Sequence, residues 1–180
     1  YSIHQTLGGG VAVLDYDLDG WPDLYFAQGG CGSPTFRGRL ANQLYRNQAT
    51  DLKDVSEACY ASVRQYTLGV AVGDWNQDGF PDLAIANIGT CQLLTNNGDG
   101  TFSRRSLETQ ANFERVASSI CIADVTRDGL PDVVQVGYVD DPGFLAKAPL
   151  DNQGHVSITV APGNFDGAVD CLFENLGDGE

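Results

Sequence analysis

Carboxylates at a fixed spacing carry the chemistry of this chain. Asp15-x-Asp17-x-Asp19-Gly20-x-x-Asp23 recurs as Asp74-x-Asn76-x-Asp78-Gly79-x-x-Asp82 and again as Asp124-x-Thr126-x-Asp128-Gly129-x-x-Asp132. Side-chain oxygens at loop positions 1, 3, 5 and 9 converge on one point when the chain turns tightly at the glycine. Position 7 (Trp21, Phe80, Leu130) adds a backbone carbonyl. A hard dication wants such a cage: calcium takes roughly six to eight oxygens at about 2.3–2.6 Å. The spacing therefore predicts about three calcium ions as cofactors. Unit charges about 4 Å apart, at an effective dielectric near 20, repel by about 4 kcal/mol. Uncompensated carboxylates would oppose folding, and a bound dication reverses that sign. Ligand charge tunes calcium affinity, so the expected order is loop one, with four carboxylates, then loop two, then loop three.

The elements that must hold these loops are strands. An EF-hand shares the Asp-x-Asp-x-Asp-Gly opening but needs a bidentate Glu at position 12 and helices on both sides. Position 12 here is Phe26, Ile85 and Gln135. The preceding segments (10–14, 69–73, 119–123) and following ones (23–27, 82–86, 132–136) are short apolar runs bounded by Gly and Pro, which read as strands. Pro22, Pro81 and Pro131 each precede the last acidic residue and push the residue before them into extended backbone. One Asp-Gly pair would mark only a hairpin turn. Three copies, each closing on Pro-Asp, are a cation loop joining two strands.

The loops start 59 and then 50 residues apart, a period that signals a solenoid, propeller or array. A second element recurs in each unit: Asn42-Gln-Leu-Tyr-Arg-Asn47, Cys91-Gln-Leu-Leu-Thr-Asn96 and Asp170-Cys-Leu-Phe-Glu-Asn175. A fourth strand follows near 51–56 and 101–106. Four strands per unit of about 50 residues is a propeller blade. The block Gly10-Val-Ala-Val-Leu-Asp-Tyr-Asp-Leu-Asp-Gly-Trp-Pro-Asp-Leu-Tyr-Phe26 resembles an FG-GAP/VCBS repeat, as does its counterpart from Gly69 to Ile85. Leu44-Tyr-Arg-Asn47 and Asn96-Asn-Gly-Asp-Gly-Thr-Phe102 are most similar to the cartilage-acidic-protein (ASPIC/UnbV-associated) branch. The resemblance implies an all-β propeller segment whose Asp-rich hairpin loops hold calcium. It names no ligand, because fold does not fix function.

One domain over 1–180 is expected, with units near 1–57, 58–107 and 108–180 and an insertion near 138–168 in the third. Asn164-Phe-Asp166-Gly-Ala-Val-Asp170, inside that insertion, is two residues short of a fourth loop and reads as a turn. His155–Val160 alternates like a strand. The third unit lacks its fourth strand, which points to a piece of a longer protein or to an edge completed by a neighbouring chain. The start at Tyr1 rather than Met points to a processed or trimmed terminus.

Net charge is −14, which excludes nucleic acid and anionic membrane as partners, and ten of the Asp residues lie in the three loops. No apolar run is long enough to span a membrane. Of five cysteines, Cys121 reads as a buried core residue, while Cys31, Cys59 and Cys91 sit near strand ends where disulfides form in an oxidising compartment. Only His4 and His155 could serve as imidazole bases, neither in a catalytic motif, so no enzyme is expected. Trp21, Trp75, Phe80 and Leu130 read as packing residues between units rather than sugar platforms, and Tyr25 and Tyr45 as core or inter-blade residues. The expectation is a secreted or cell-surface calcium-stabilised scaffold for adhesion, with a protein or glycan ligand. The alternatives are a carbohydrate-binding module or propeller of a polysaccharide-active enzyme, and a self-associating filament subunit.

Overall fold

A computed structural model of the chain describes residues 7–29, 40–107, 115–146, 150–155 and 162–177. Three antiparallel meanders follow one another. The first sheet runs β1 (Val11–Leu14), β2 (Asp23–Phe26), β3 (Gln43–Asn47) and β4 (Leu52–Asp54) in spatial order. The second runs β5 (Thr67–Gly73), β6 (Asp82–Asn87), β7 (Cys91–Asn96) and β8 (Phe102–Leu107). The third has three strands among the described residues, β9 (Val116–Ala123), β10 (Asp132–Val139) and β11 (Cys171–Phe173). Each unit lays its strands side by side in chain order, as the blade of a propeller does. The chain is thus an all-β partial propeller, its third blade showing three strands among the described residues.

Register places the loops. Leu14 pairs with Asp23, Gly73 with Asp82 and Ala123 with Asp132, so each acidic loop is the connection between the first two strands of its blade. The central blade shows why the blades stack. Every residue of β6 is buried. Leu83 and Ile85 face the first blade, joining Leu14, Tyr16, Tyr25 and Leu44. Ala84 and Ala86 face the other way and join Ala117, Ile120 and Val133 of the third blade. Period-two alternation thus sends large side chains to one interface and small ones to the other. Within the first core Tyr25 is fully buried and donates its hydroxyl to the Ala61 carbonyl at 3.0 Å. Tyr45, half-buried, meets Phe26 edge-on.

Four features depart from or refine the sequence expectation. Cys121 is exposed rather than buried, because it lies on the face of β9 turned away from the second blade, where no described residue covers it. Cys59, Cys91, Cys121 and Cys171 are all free thiols; Cys59 instead sits 3.7 Å from the Tyr16 hydroxyl, so no disulfide forms among the described cysteines, and Cys31 lies outside them. β10 continues to Val139, three residues past its expected end. The insertion then folds back in 3-10 turns at Pro142–Leu145 and Pro162–Asn164, and buries Phe144 edge-on between Tyr138 and Phe165. Asp170 ties that turn to β10, its Oδ1 accepting the Gly137 amide at 2.9 Å. His155 is exposed and pairs with Asp151, while 156–160 lie outside the described residues.

Candidate metal centre

The three loops share one backbone. Position 4 has positive φ in each (Leu18 54°, Gln77 55°, Arg127 66°), as does the glycine at position 6 (Gly20 88°, Gly79 90°, Gly129 92°). Left-handed backbone near 90° is open to glycine and strained for other residues, which is why Asp-Gly stands there. The turn aims amides at the first Asp. Asp15 accepts the N–H groups of Asp19 (3.0 Å) and Gly20 (2.9 Å). Asp74 accepts those of Asp78 (3.1 Å) and Gly79 (3.0 Å). Asp124 accepts those of Arg127 (2.6 Å) and Gly129 (3.1 Å). The fifth-position Asp accepts the amide of position 7 at 2.9 Å in every loop: Asp19 from Trp21, Asp78 from Phe80, Asp128 from Leu130.

Loop one gathers the densest charge. Asp15, Asp17 and Asp19 place carboxylate oxygens within 4.8 Å of one another, which no other acidic group among the described residues achieves. Asp17 Oδ1 is buried and accepts no hydrogen bond. An orphaned carboxylate oxygen beside two other carboxylates is a donor set for a hard cation, and calcium fits it. In loop two the Asn76 amide spans the gap, donating to Asp78 Oδ2 at 2.8 Å. In loop three the Thr126 hydroxyl donates to Asp132 Oδ2 at 3.2 Å. Among the described residues, the four-Asp loop is also the one met by a cation from the chain: Arg46 reaches Asp17 and Asp19 from β3.

The ninth-position Asp plays a different part from the rest. Asp23, Asp82 and Asp132 are each 0% exposed. Asp82 accepts the Trp75 amide on Oδ2 and the Asn96 amide on Oδ1, both at 2.7 Å. Asp23 does the same with Tyr16 (3.0 Å) and Asn47 (2.7 Å), and Asp132 with Val125 (3.0 Å) and Asn175 (3.1 Å). Each carboxylate so ties the second residue of its loop to the end of its blade's third strand. The strand-ending Asn then crosses to the preceding blade: Asn96 Nδ2 donates to the Tyr16 carbonyl at 2.7 Å, and Asn175 Nδ2 to the Trp75 carbonyl at 2.8 Å. An unbroken hydrogen-bonded line results, Asp23–Tyr16–Asn96–Asp82–Trp75–Asn175–Asp132. Gln77 Nε2 adds a direct tie from loop two to the Gly129 carbonyl of loop three at 2.7 Å.

Burial and hydrogen bonding set the acidity of these three groups. Burial pushes Asp82 up to about 6, against the pull of the Asn96 and Trp75 amides, and raises Asp23 in the same direction. Asp132 is buried too, but the amides of Asn175, Thr126 and Val125 with the Thr126 hydroxyl outweigh that and hold it below the usual range. A carboxylate offers about four lone-pair positions, so Asp23 and Asp82, with one amide on each oxygen, keep acceptor capacity for a metal, whereas Asp132 already accepts three bonds on Oδ2 and one on Oδ1.

The structure gathers Asp15, Asp17 and Asp19 and sets Asp23, Asp82 and Asp132 beneath their loops. The position-7 side chains diverge: Trp21 is 49% exposed, while Phe80 lies over Gly98 and Leu130 over Gly177. Trp75 is 4% exposed, packed between the second and third blades. The recurrent Asn47, Asn96 and Asn175 are legible in the sequence as a strand marker, but their tie to the loops is not. Nor is the role of Arg46, which no local pattern connects with residues 27 and more positions earlier in the chain.

Three successive sheets with matching hairpin loops define a segment of a β-propeller. The FG-GAP-like repeat model matches residues 15–85 and 74–134, and the chain belongs to this family. It is 30% identical to human integrin alpha-7 over 181 residues and 26% identical to human integrin alpha-6 over 177, in each case across 91% of this chain. Rat integrin alpha-7 is 37% identical over 91 residues, 46% of this chain and 8% of that protein. The chain spans about 15% of the length of the two human relatives. No helix among the described residues is long and apolar enough to cross a membrane.

Proposed function

We propose that this chain is a non-enzymatic, calcium-stabilised propeller segment, one domain of three repeat units, that presents a surface for protein adhesion outside the cell. The observation that carries it is the repetition of one Asp-rich turn at the same place in three blades, densest at Asp15, Asp17 and Asp19. Loop one would use Asp15, Asp17, Asp19 and Asp23, loop two Asp74, Asn76, Asp78 and Asp82, and loop three Asp124, Thr126, Asp128 and Asp132. The carbonyls of Trp21, Phe80 and Leu130 would complete the sets. Calcium supplies positive charge that lets clustered carboxylates coexist. The chain's own residues do the rest: positions 4 and 6 set the turn, and the ninth Asp fixes it to the blade. Likeness to integrin alpha chains supports the adhesion reading and an extracellular place.

Thermal unfolding in millimolar calcium chloride and again in chelator tests this. A melting point that falls by about 10 °C or more on chelation is expected, since a site held at 100 times its Kd adds about 2.7 kcal/mol. An unchanged melting point would reduce the loops to acidic turns.

A second reading concerns the outer faces of the stack. Val70 and Val72 pack on the first blade and Ile120 and Ile122 on the second. Their first-blade counterparts Val11 and Val13 are 57% and 59% exposed. Another blade suits that face, and a second copy of this chain could supply it. Mass measured in solution with calcium decides: an assembly supports self-association, and a monomer at high concentration refutes it.

A further inference from the structure

Loop one holds the most carboxylates, yet it is the loop that already has a cation. Arg46 Nε lies 2.6 Å from Asp17 Oδ2 and Nη2 lies 2.9 Å from Asp19 Oδ2. The guanidinium comes from the penultimate residue of β3, whose neighbour Asn47 is pinned by its amide to Asp23. Its base is therefore fixed, while its side chain is 36% exposed. The corresponding residues of the other blades are Thr95 and Glu174, which bring no positive charge to their loops. Loop three contains Arg127, but among the described residues its side chain pairs with none of the loop's carboxylates.

The guanidinium is an incomplete occupant. Despite its short distance, Nε makes no aligned hydrogen bond, and Asp17 Oδ1 keeps no partner at all. A planar fork of N–H donors satisfies two coplanar oxygens well. It cannot fill a cage of three carboxylates converging from different directions, which a spherical dication can. Counting charge, Arg46 reduces loop one from four negative groups to a net of three, level with the three carboxylates of loop two.

We propose that Arg46 is a tethered counter-cation of loop one, which holds Asp17 and Asp19 in place without metal and must leave them when a dication binds. This rests on the calcium reading above and adds a regulatory step to it. Loop one then binds calcium more weakly than its carboxylate count implies, and it responds to calcium concentration over a range that Arg46 sets. Among the described residues, no cation pairs with the carboxylates of loops two and three.

The test uses terbium luminescence, with calcium chloride as competitor, in the 180-residue chain carrying Trp75→Phe. Trp21 in loop one is then the sole tryptophan sensitiser, since the chain has two tryptophans. Arg46→Met, which keeps most of the stem and removes the charge, should tighten loop-one binding roughly five- to tenfold, the scale of two exposed ion pairs. Arg46→Lys should recover part of the wild-type weakness. Equal or weaker binding in Arg46→Met, with terbium still bound, overturns the competition and leaves the calcium reading standing. No binding in either protein overturns the calcium reading itself. Should the variant fail to fold, the wild-type Arg46 Nε–H resonance serves. It should move to the position of a solvated arginine at saturating calcium, and an unmoved resonance refutes the proposal.

Discussion

Replacing Asn96 by Ala should cost about 2–4 kcal/mol, whereas the same change at its first-blade counterpart Asn47 should cost about 1 kcal/mol or less. Asn96 is 1% exposed. Its Nδ2 donates to the Tyr16 carbonyl at 2.7 Å and reaches the Pro81 carbonyl at 3.4 Å, and its Oδ1 accepts the Gly98 amide at 3.0 Å. The backbone bond from Asn96 to Asp82 survives the substitution, but the Tyr16 carbonyl is left buried between two blades without a donor. A buried group so orphaned costs about 1–3 kcal/mol, and the part-buried Pro81 and Gly98 groups add a smaller amount. Asn47 makes local bonds of the same kind, to the Pro22 carbonyl (3.0 Å) and from the Ala49 amide (2.9 Å), but both are exposed and water replaces them. Urea unfolding of calcium-saturated protein, followed by circular dichroism, gives both values from midpoints at a common m. A cost below about 1 kcal/mol at Asn96, or equal costs at the two positions, would refute the interblade tie as a source of stability.

Two further outcomes follow from the same geometry. Asp82 is raised in the fold to about 6 from an ordinary 3.8, so the native state holds its proton to higher pH than the unfolded chain. In metal-free protein that contribution is full below about 4 and is lost as pH rises through about 6, a fall of order 1–3 kcal/mol. Melting points of dialysed protein at stepwise pH should show it, Asp82→Asn should flatten it, and calcium, which favours the ionised form, should reverse its sign. A slope unchanged in Asp82→Asn would refute the assignment. Gly73 faces the third blade, and a Cβ there would stand 2.6 Å from Ile122 Cγ2. Gly73→Ala should destabilise by about 1–3 kcal/mol, and Ile122→Ala in the same chain should recover part of the loss. Additive costs in that double-mutant cycle would contradict the contact.

The sequence by itself determined the strands, the loops and their order. These depend on local signals: Pro and Gly bound each run, alternation assigns its two faces, and Asp-x-Asp-x-Asp-Gly needs only neighbouring residues to make its turn. Strands expected at 69–73, 82–86 and 91–96 appear as Thr67–Gly73, Asp82–Asn87 and Cys91–Asn96. What the tertiary structure alone decided lies between blades. Cys121 occupies an apolar strand, and its exposure depends on whether another sheet covers that face. Asn96 and Asn175 read as strand ends, and their partners at Tyr16 and Trp75 lie 80 and 100 residues earlier. Arg46 looks like any surface arginine until the first blade's third strand sets it over a loop 27 residues earlier. Spacing fixes what neighbours along the chain can do together, whereas charge and hydrogen-bond partners drawn from distant strands are settled only when the blades pack.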